Sequence, residues 1–227
     1  TVTTPAGSPR RLQVLRLPGE NRVLLQGELP LDGKVEESEA TMERPAEWFA
    51  RALHEALKRA GITVEGRAVG VRWPEAPRTG AVRIGEIKSA PLRDIVATIN
   101  KPSQNLKTDL IFGYLGELDR AADTPAWRQS EELAVVALGK FLRSAGIAPG
   151  GTIFEEGSGL SRNNHTTAAD TARLLQFMAT HKERDAFVAS LPVAGVDGSL
   201  RKRMKGTAAE GRILAKTGTL RYASSLS

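Results

Sequence analysis

Amphipathic helical stretches fill the middle of this chain, while strand-forming runs gather at its ends. Trp48, Phe49, Ala52, Leu53, Ala56 and Leu57 recur at helical spacing behind Pro45, and Gly61 closes that helix. Pro91 opens a second helix carrying Leu92, Ile95, Val96 and Ile99. Pro102 stops it, since proline offers no N–H and restricts Lys101 before it. Ser103 then stands where a short hydroxyl side chain would cap a third helix containing Leu106, Leu110, Ile111 and Leu115. Trp127 to Ala145 and Ala168 to Thr180 read as two more helices. Strands are expected at 12–15 and 22–27, at 62–64, 67–72 and 81–87, and at 212–217 and 220–224, with a loop over 73–80. Strands at the ends and helices between them predict an α+β fold with a mainly antiparallel sheet.

Bulk properties narrow the function classes. A chain of 227 residues can bury a substantial core, and no run approaches the ~18 apolar residues of a membrane span. Cysteine is absent, which removes disulfides, thiol nucleophiles and Cys-ligated metals. The three histidines, His54, His165 and His181, lack metal-ligand spacing, so no metal site is expected. Net charge is +6, and the densest basic run is Arg201-Lys202-Arg203-Met204-Lys205. No aromatic residue interleaves with it, as a single-strand stacking platform would require, so it reads as a solvated face and no nucleic-acid partner is expected.

Chemistry concentrates in two short motifs. Lys216-Thr217-Gly218-Thr219 combines a cation, two hydroxyls and a residue without a side chain. Such a set suits a peptide carboxylate pairing closely with a strand edge, with the backbone N–H of residue 219 available to a developing oxyanion. Ser103-Gln104-Asn105 offers a hydroxyl for proton relay and an amide for a substrate carbonyl. A second S-x-N triplet, Ser161-Arg162-Asn163, is equally acceptable by spacing. An S-x-x-K quartet, Ser199-Leu200-Arg201-Lys202, is set aside as a nucleophile: it follows a Gly198 turn, enters the basic run, and comes after the S-x-N triplet rather than before it.

Sequence context extends these motifs. Ser89-Ala90-Pro91-Leu92-Arg93-Asp94-Ile95 leads into Asn100-Lys101-Pro102-Ser103-Gln104-Asn105-Leu106. Then come Gly157-Ser158-Gly159-Leu160-Ser161-Arg162, Leu191-Pro192-Val193-Ala194-Gly195-Val196-Asp197-Gly198-Ser199-Leu200, and Ala215-Lys216-Thr217-Gly218-Thr219-Leu220. As a set, these blocks resemble the class C low-molecular-mass penicillin-binding proteins, the D-alanyl-D-alanine carboxypeptidase/endopeptidase family, from about residue 10 to the end.

The resemblance implies a penicillin-binding, transpeptidase-like domain over 38–227 and the tail of a β-rich inserted domain over 1–37. It assigns catalytic roles to Ser103, Asn105 and Lys216, and substrate binding to Thr217, Gly218 and Thr219. It implies a serine peptidase acting on peptidoglycan stem peptides, acylated by β-lactams, needing no cofactor, facing the periplasm or cell wall, and compatible with peripheral membrane association. The family's nucleophilic S-x-x-K segment precedes all the blocks found here, so it is expected as a missing partner, and this chain alone is expected to be inactive. Further strands are expected beyond Ser227. Gln104 stands where the family often has Asp, and Glu156 where Asp is usual. The rival reading is a non-catalytic binding module gripping cell-wall or other anionic polymer. The enzyme reading requires Ser103 and Lys216 to converge on one cleft at a sheet edge.

Overall fold

The computed structural model describes residues 1–35, 37, 39–71, 80 and 82–227. The chain forms two compact units, Thr1–Ala81 and Val82–Ser227. The compact units divide at residues 81 and 82, with the first helix in the same unit as the N-terminal strands, whereas the resemblance implied a domain boundary at 37/38.

In the first unit, β1 (Val2–Thr4), β2 (Arg11–Arg16) and β3 (Val23–Pro30) form one sheet in the order β1-β3-β2. β2 and β3 pair antiparallel, as their alternating patterns and the Pro18–Asn21 turn require, with Gly19 at φ 79°. β1 was not foreseen and pairs parallel to β3, so this small sheet is mixed. Gly27 has a structural reason: at φ 126°, any Cβ there would collide with the Arg11 carbonyl on the neighbouring strand. Helix α1 (Pro45–Arg59) starts on its proline, carries Glu47 in the first turn and Lys58 and Arg59 in the last, and ends before Gly61 at φ 78°.

The strands expected at 62–64 and 67–71 form no ladder, and neither does the run 82–87. Residues 72–79 and 81, with most of the expected loop, lie outside the described residues. Alternation creates a strand only where a neighbouring backbone accepts and donates hydrogen bonds; here Ile84 and Ile87 stand 97% and 100% exposed.

The second unit holds α2 (Leu92–Asn100), α3 (Asn105–Leu118), α4 (Ser130–Ser144), α5 (Ala168–Thr180), α6 (Arg184–Ser190), a 3₁₀ turn at Gly198–Leu200, and a hairpin of β4 (Thr217–Leu220) and β5 (Ala223–Leu226). The hairpin begins five residues later than the strand expected from 212; before it, Leu214 forms an isolated bridge with Val193. α3 and α4 pack closely because Gly116 lets the Ser130 carbonyl approach, and any Cβ there would strike it. Ile99, Phe112, Leu133, Ala134, Leu142, Ile147, Leu191, Ala194, Leu200 and Ala215 are buried. α6, too short to announce itself by periodicity, is tied to α2 through the Asn100 amide donating to the buried Ser190 hydroxyl at 2.9 Å. α5 is capped by Thr167, which accepts from Asp170 N–H at 3.0 Å. Leu106, Leu110, Tyr114 and Leu118 recur every fourth residue of α3 and all remain exposed.

Candidate active site

Pro102 ends α2, and the chain must reverse before α3 begins. The reversal places Ser103 at φ 64°, in the left-handed region that L-residues other than Asn and Asp rarely enter. The expected cap at Ser103 is therefore corrected: Gln104 is the N-cap residue, and no side chain caps α3. The Ser103 hydroxyl is used elsewhere. It accepts a hydrogen bond from Lys216 Nζ at 2.8 Å.

Lys216 immediately precedes β4 and is fixed by its backbone, exchanging hydrogen bonds with Ser227 at 2.7 and 3.0 Å. Its ammonium also donates to the Thr217 carbonyl at 2.6 Å. Burial lowers its pKa below the ordinary lysine value, since desolvation disfavours the cation. Ser103, Asn105, Lys216, Thr217, Gly218 and Thr219 all line one cleft of about 600 Å³. All six residues assigned from the sequence thus meet at one place, beside the edge of the β4–β5 hairpin. Gly218 is also required by the hairpin itself: a Cβ there would lie 2.6 Å from Ser225 Oγ.

The facing wall is the 157–166 segment, of which Ser158, Leu160, Asn164 and Thr166 line the cleft. It is wound around a carboxylate. Glu156 accepts from the backbone N–H of Ser158 at 2.6 Å, Gly159 at 3.2 Å and Ser161 at 3.0 Å, and from the Asn164 amide at 2.5 Å. Burial raises the Glu156 pKa, but the hydrogen bonds from Ser158 and Ser161 outweigh it and hold it at about 2. Asp109 on α3 accepts from Gly157 and Ser158 N–H at 3.0 and 2.9 Å, which fastens the wall to the helix that begins at Asn105.

The competing motifs are placed elsewhere. In the second S-x-N triplet, Ser161 Oγ and Asn163 Nδ2 donate to Glu155 at 2.8 and 2.9 Å, and neither residue lines the cleft. In the S-x-x-K quartet, Lys202 is exposed, while Ser199 Oγ lies 2.7 Å from Thr217 Oγ1. That contact was not foreseen, nor was the Lys101–Asp197 ion pair at 2.6 Å. Both fall within the sequence blocks quoted above, but no spacing rule marks them. Among the described residues no cluster of His, Asp or Glu could hold a metal ion.

The sequence model of the D-Ala-D-Ala carboxypeptidase 3 (S13) family matches residues 1–227. The chain belongs to that family. A D-alanyl-D-alanine carboxypeptidase of an Actinomadura species is 34% identical over all of this chain and 42% of its own length. The D-alanyl-D-alanine carboxypeptidase DacB of Haemophilus influenzae is 28% identical over 77% of this chain and 35% of its own. The crystal structure of penicillin-binding protein 4 (dacB) from Haemophilus influenzae matches with a TM-score of 0.74 at 25% identity, over 99% of this chain and 49% of that one. A structure of the same protein complexed with a novel β-lactam matches with a TM-score of 0.71. This S13-family chain thus has the α+β penicillin-binding fold and spans less than half the length of these relatives.

Proposed function

We propose that this chain supplies the proton-relay and carboxylate-binding half of a serine D-Ala-D-Ala carboxypeptidase/endopeptidase acting on peptidoglycan stem peptides. The Lys216–Ser103 hydrogen bond carries the reading. A lysine cation held against a serine hydroxyl biases that oxygen toward losing its proton and keeps it at one point in the cleft. Ser103 then passes a proton to the departing D-Ala amine as the acyl-serine forms, and Asn105 holds the substrate amide. Lys216, Thr217 and Thr219 receive the terminal carboxylate, and the N–H of residue 219 faces the oxyanion.

The attacking serine in this scheme belongs to an S-x-x-K segment outside these 227 residues. Ser199 does not fit that part, since it does not line the cleft and its lysine is exposed. The exposed apolar side chains of α3, Leu106, Leu110, Tyr114 and Leu118, suit a packing partner directly after Asn105. The protein faces the periplasm or cell wall, where its substrate lies, and β-lactams inhibit it by acylation. The basic run 201–205 gives the binding-module reading less support, because none of its residues lines the cleft.

The test is acylation of the natural protein containing this sequence by a labelled penicillin, together with D-Ala release from a peptide ending in D-Ala-D-Ala. Both activities are expected and both should fall in Ser103→Ala. A protein with neither activity would sink the proposal.

A further inference from the structure

The turn bearing Ser103 and the strand bearing Thr217 come from distant stretches, and one short segment is fastened to both. On the strand side, Ala194 N–H donates to the Ile213 carbonyl at 2.9 Å and Ala215 N–H to the Pro192 carbonyl at 3.0 Å. On the turn side, Ser199 N–H donates to the Lys101 carbonyl at 2.9 Å, and Lys101 Nζ donates to Asp197 Oδ2 at 2.6 Å. The other Asp197 oxygen accepts from Val193 N–H at 2.8 Å. Leu200 beneath the segment is fully buried. Gly198, at φ 54°, passes so near the Lys101 carbonyl that any side chain would collide with it. The Pro192–Ser199 strap is thus fastened at one end to the 213–215 stretch leading into β4 and at the other to Lys101 beside Ser103.

Its remaining polar group is the Ser199 hydroxyl, 2.7 Å from Thr217 Oγ1. A hydroxyl carries one proton, so the partner that accepts in this pair keeps its own proton for another acceptor. A carboxylate only accepts. We infer that Ser199 is a positioning residue for the substrate carboxylate: it donates to Thr217 Oγ1, and so turns the Thr217 proton toward an anion in the cleft, while the strap fixes Thr217 relative to Ser103. The inference rests on the proposed carboxypeptidase reading and extends it to residues that do not line the cleft.

The experiment uses the natural protein containing this sequence and a peptide ending in D-Ala-D-Ala. Ser199→Ala should raise KM about tenfold with kcat nearly unchanged, the size expected for one hydrogen bond to a charged group. Ser199→Thr, which keeps the donor, should restore KM to within about threefold of the parent. In a Thr217→Val background, Ser199→Ala should add almost nothing, because the proton it orients is gone. Asp197→Asn should reproduce part of the KM increase by slackening the strap. A purely structural Ser199 would instead lower kcat with the folded fraction, and its effect would add to that of Thr217→Val. Unchanged KM in Ser199→Ala, or no rescue by threonine, overturns the inference while leaving the carboxypeptidase reading intact. A parent protein inert toward both peptide and penicillin sinks both.

Discussion

Lys216 and Ser103, 113 positions apart in the chain, meet at 2.8 Å between ammonium and hydroxyl oxygen. Two of the three ammonium protons are thereby accounted for, one on Ser103 and one on the Thr217 carbonyl. The third is available to an anion in the cleft. In the proposed scheme one side chain therefore serves both the relay hydroxyl and the substrate carboxylate, and the two proposed roles predict a large mutational effect.

In the natural protein, Lys216→Ala should slow acylation by penicillin far more than Lys202→Ala. Removing a charge-assisted hydrogen bond that acts in the transition state raises the barrier by about 2–4 kcal/mol, on the order of a hundredfold in rate. Lys202 is exposed in the basic run, where a single charge is worth less than ~1 kcal/mol. Second-order acylation rates of the two variants decide the matter; equal losses would mean the active lysine is misassigned.

The 227-residue chain by itself should form no stable adduct with a labelled penicillin. In the proposed scheme Ser103 is the relay, and Ser199 Oγ lies 2.7 Å from Thr217 Oγ1 without lining the cleft. Intact-mass measurement after incubation checks this. A stoichiometric adduct on either serine would refute it.

Glu156 should make the protein sensitive to acid in a defined window. Its folded pKa of about 2 lies below the ordinary 4.5, so the unfolded chain binds its proton first as pH falls. The stabilisation is fully present above about pH 4.5 and is lost progressively down to about pH 2. Glu156→Gln should lower stability at neutral pH and flatten the acid limb of the denaturation midpoint against pH. An acid limb as steep as the parent's would show that another carboxylate is responsible.

Gly116→Ala should destabilise the second unit by about 2 kcal/mol or more, although alanine is ordinarily the better helix former. The added methyl group would strike the Ser130 carbonyl and force α3 and α4 apart. Gly139→Ala, at a half-buried position of α4 where the nearest atom is the flexible Arg143 guanidinium at 3.5 Å, is the control and should be neutral or stabilising. Chemical denaturation of both variants measures the difference.

Much of the candidate site was legible because the chemistry proposed for it needs particular residue types in a particular order. Lys216 to Thr219 stood out as a motif, the family resemblance chose Ser103 and Asn105 over the second S-x-N triplet, and all six line one cleft. The local conformation at Ser103 was not legible: a serine before a helix reads as a cap, and only the contact with Lys216 explains why its hydroxyl turns away. The run 82–87 has a strand's alternation, but a ladder is a property of two segments, and one sequence stretch cannot reveal the absence of its neighbour. The Lys101–Asp197 and Ser199–Thr217 contacts escaped for a similar reason, since they join positions 96 and 18 residues apart through a turn that only Gly198 permits.

The 113-residue span between Ser103 and Lys216 also fixes when the site can exist. Closing so long a loop costs entropy that local contacts cannot offset, so this hydrogen bond forms only after the intervening helices have docked. Lys216 is presented by the β4–β5 hairpin, which pairs Thr217 with Leu226 and ties the Lys216 backbone to Ser227. Opening of those pairs would carry Lys216 away from Ser103, so amide exchange at Thr217 to Leu226 in the natural protein should report loss of the cleft.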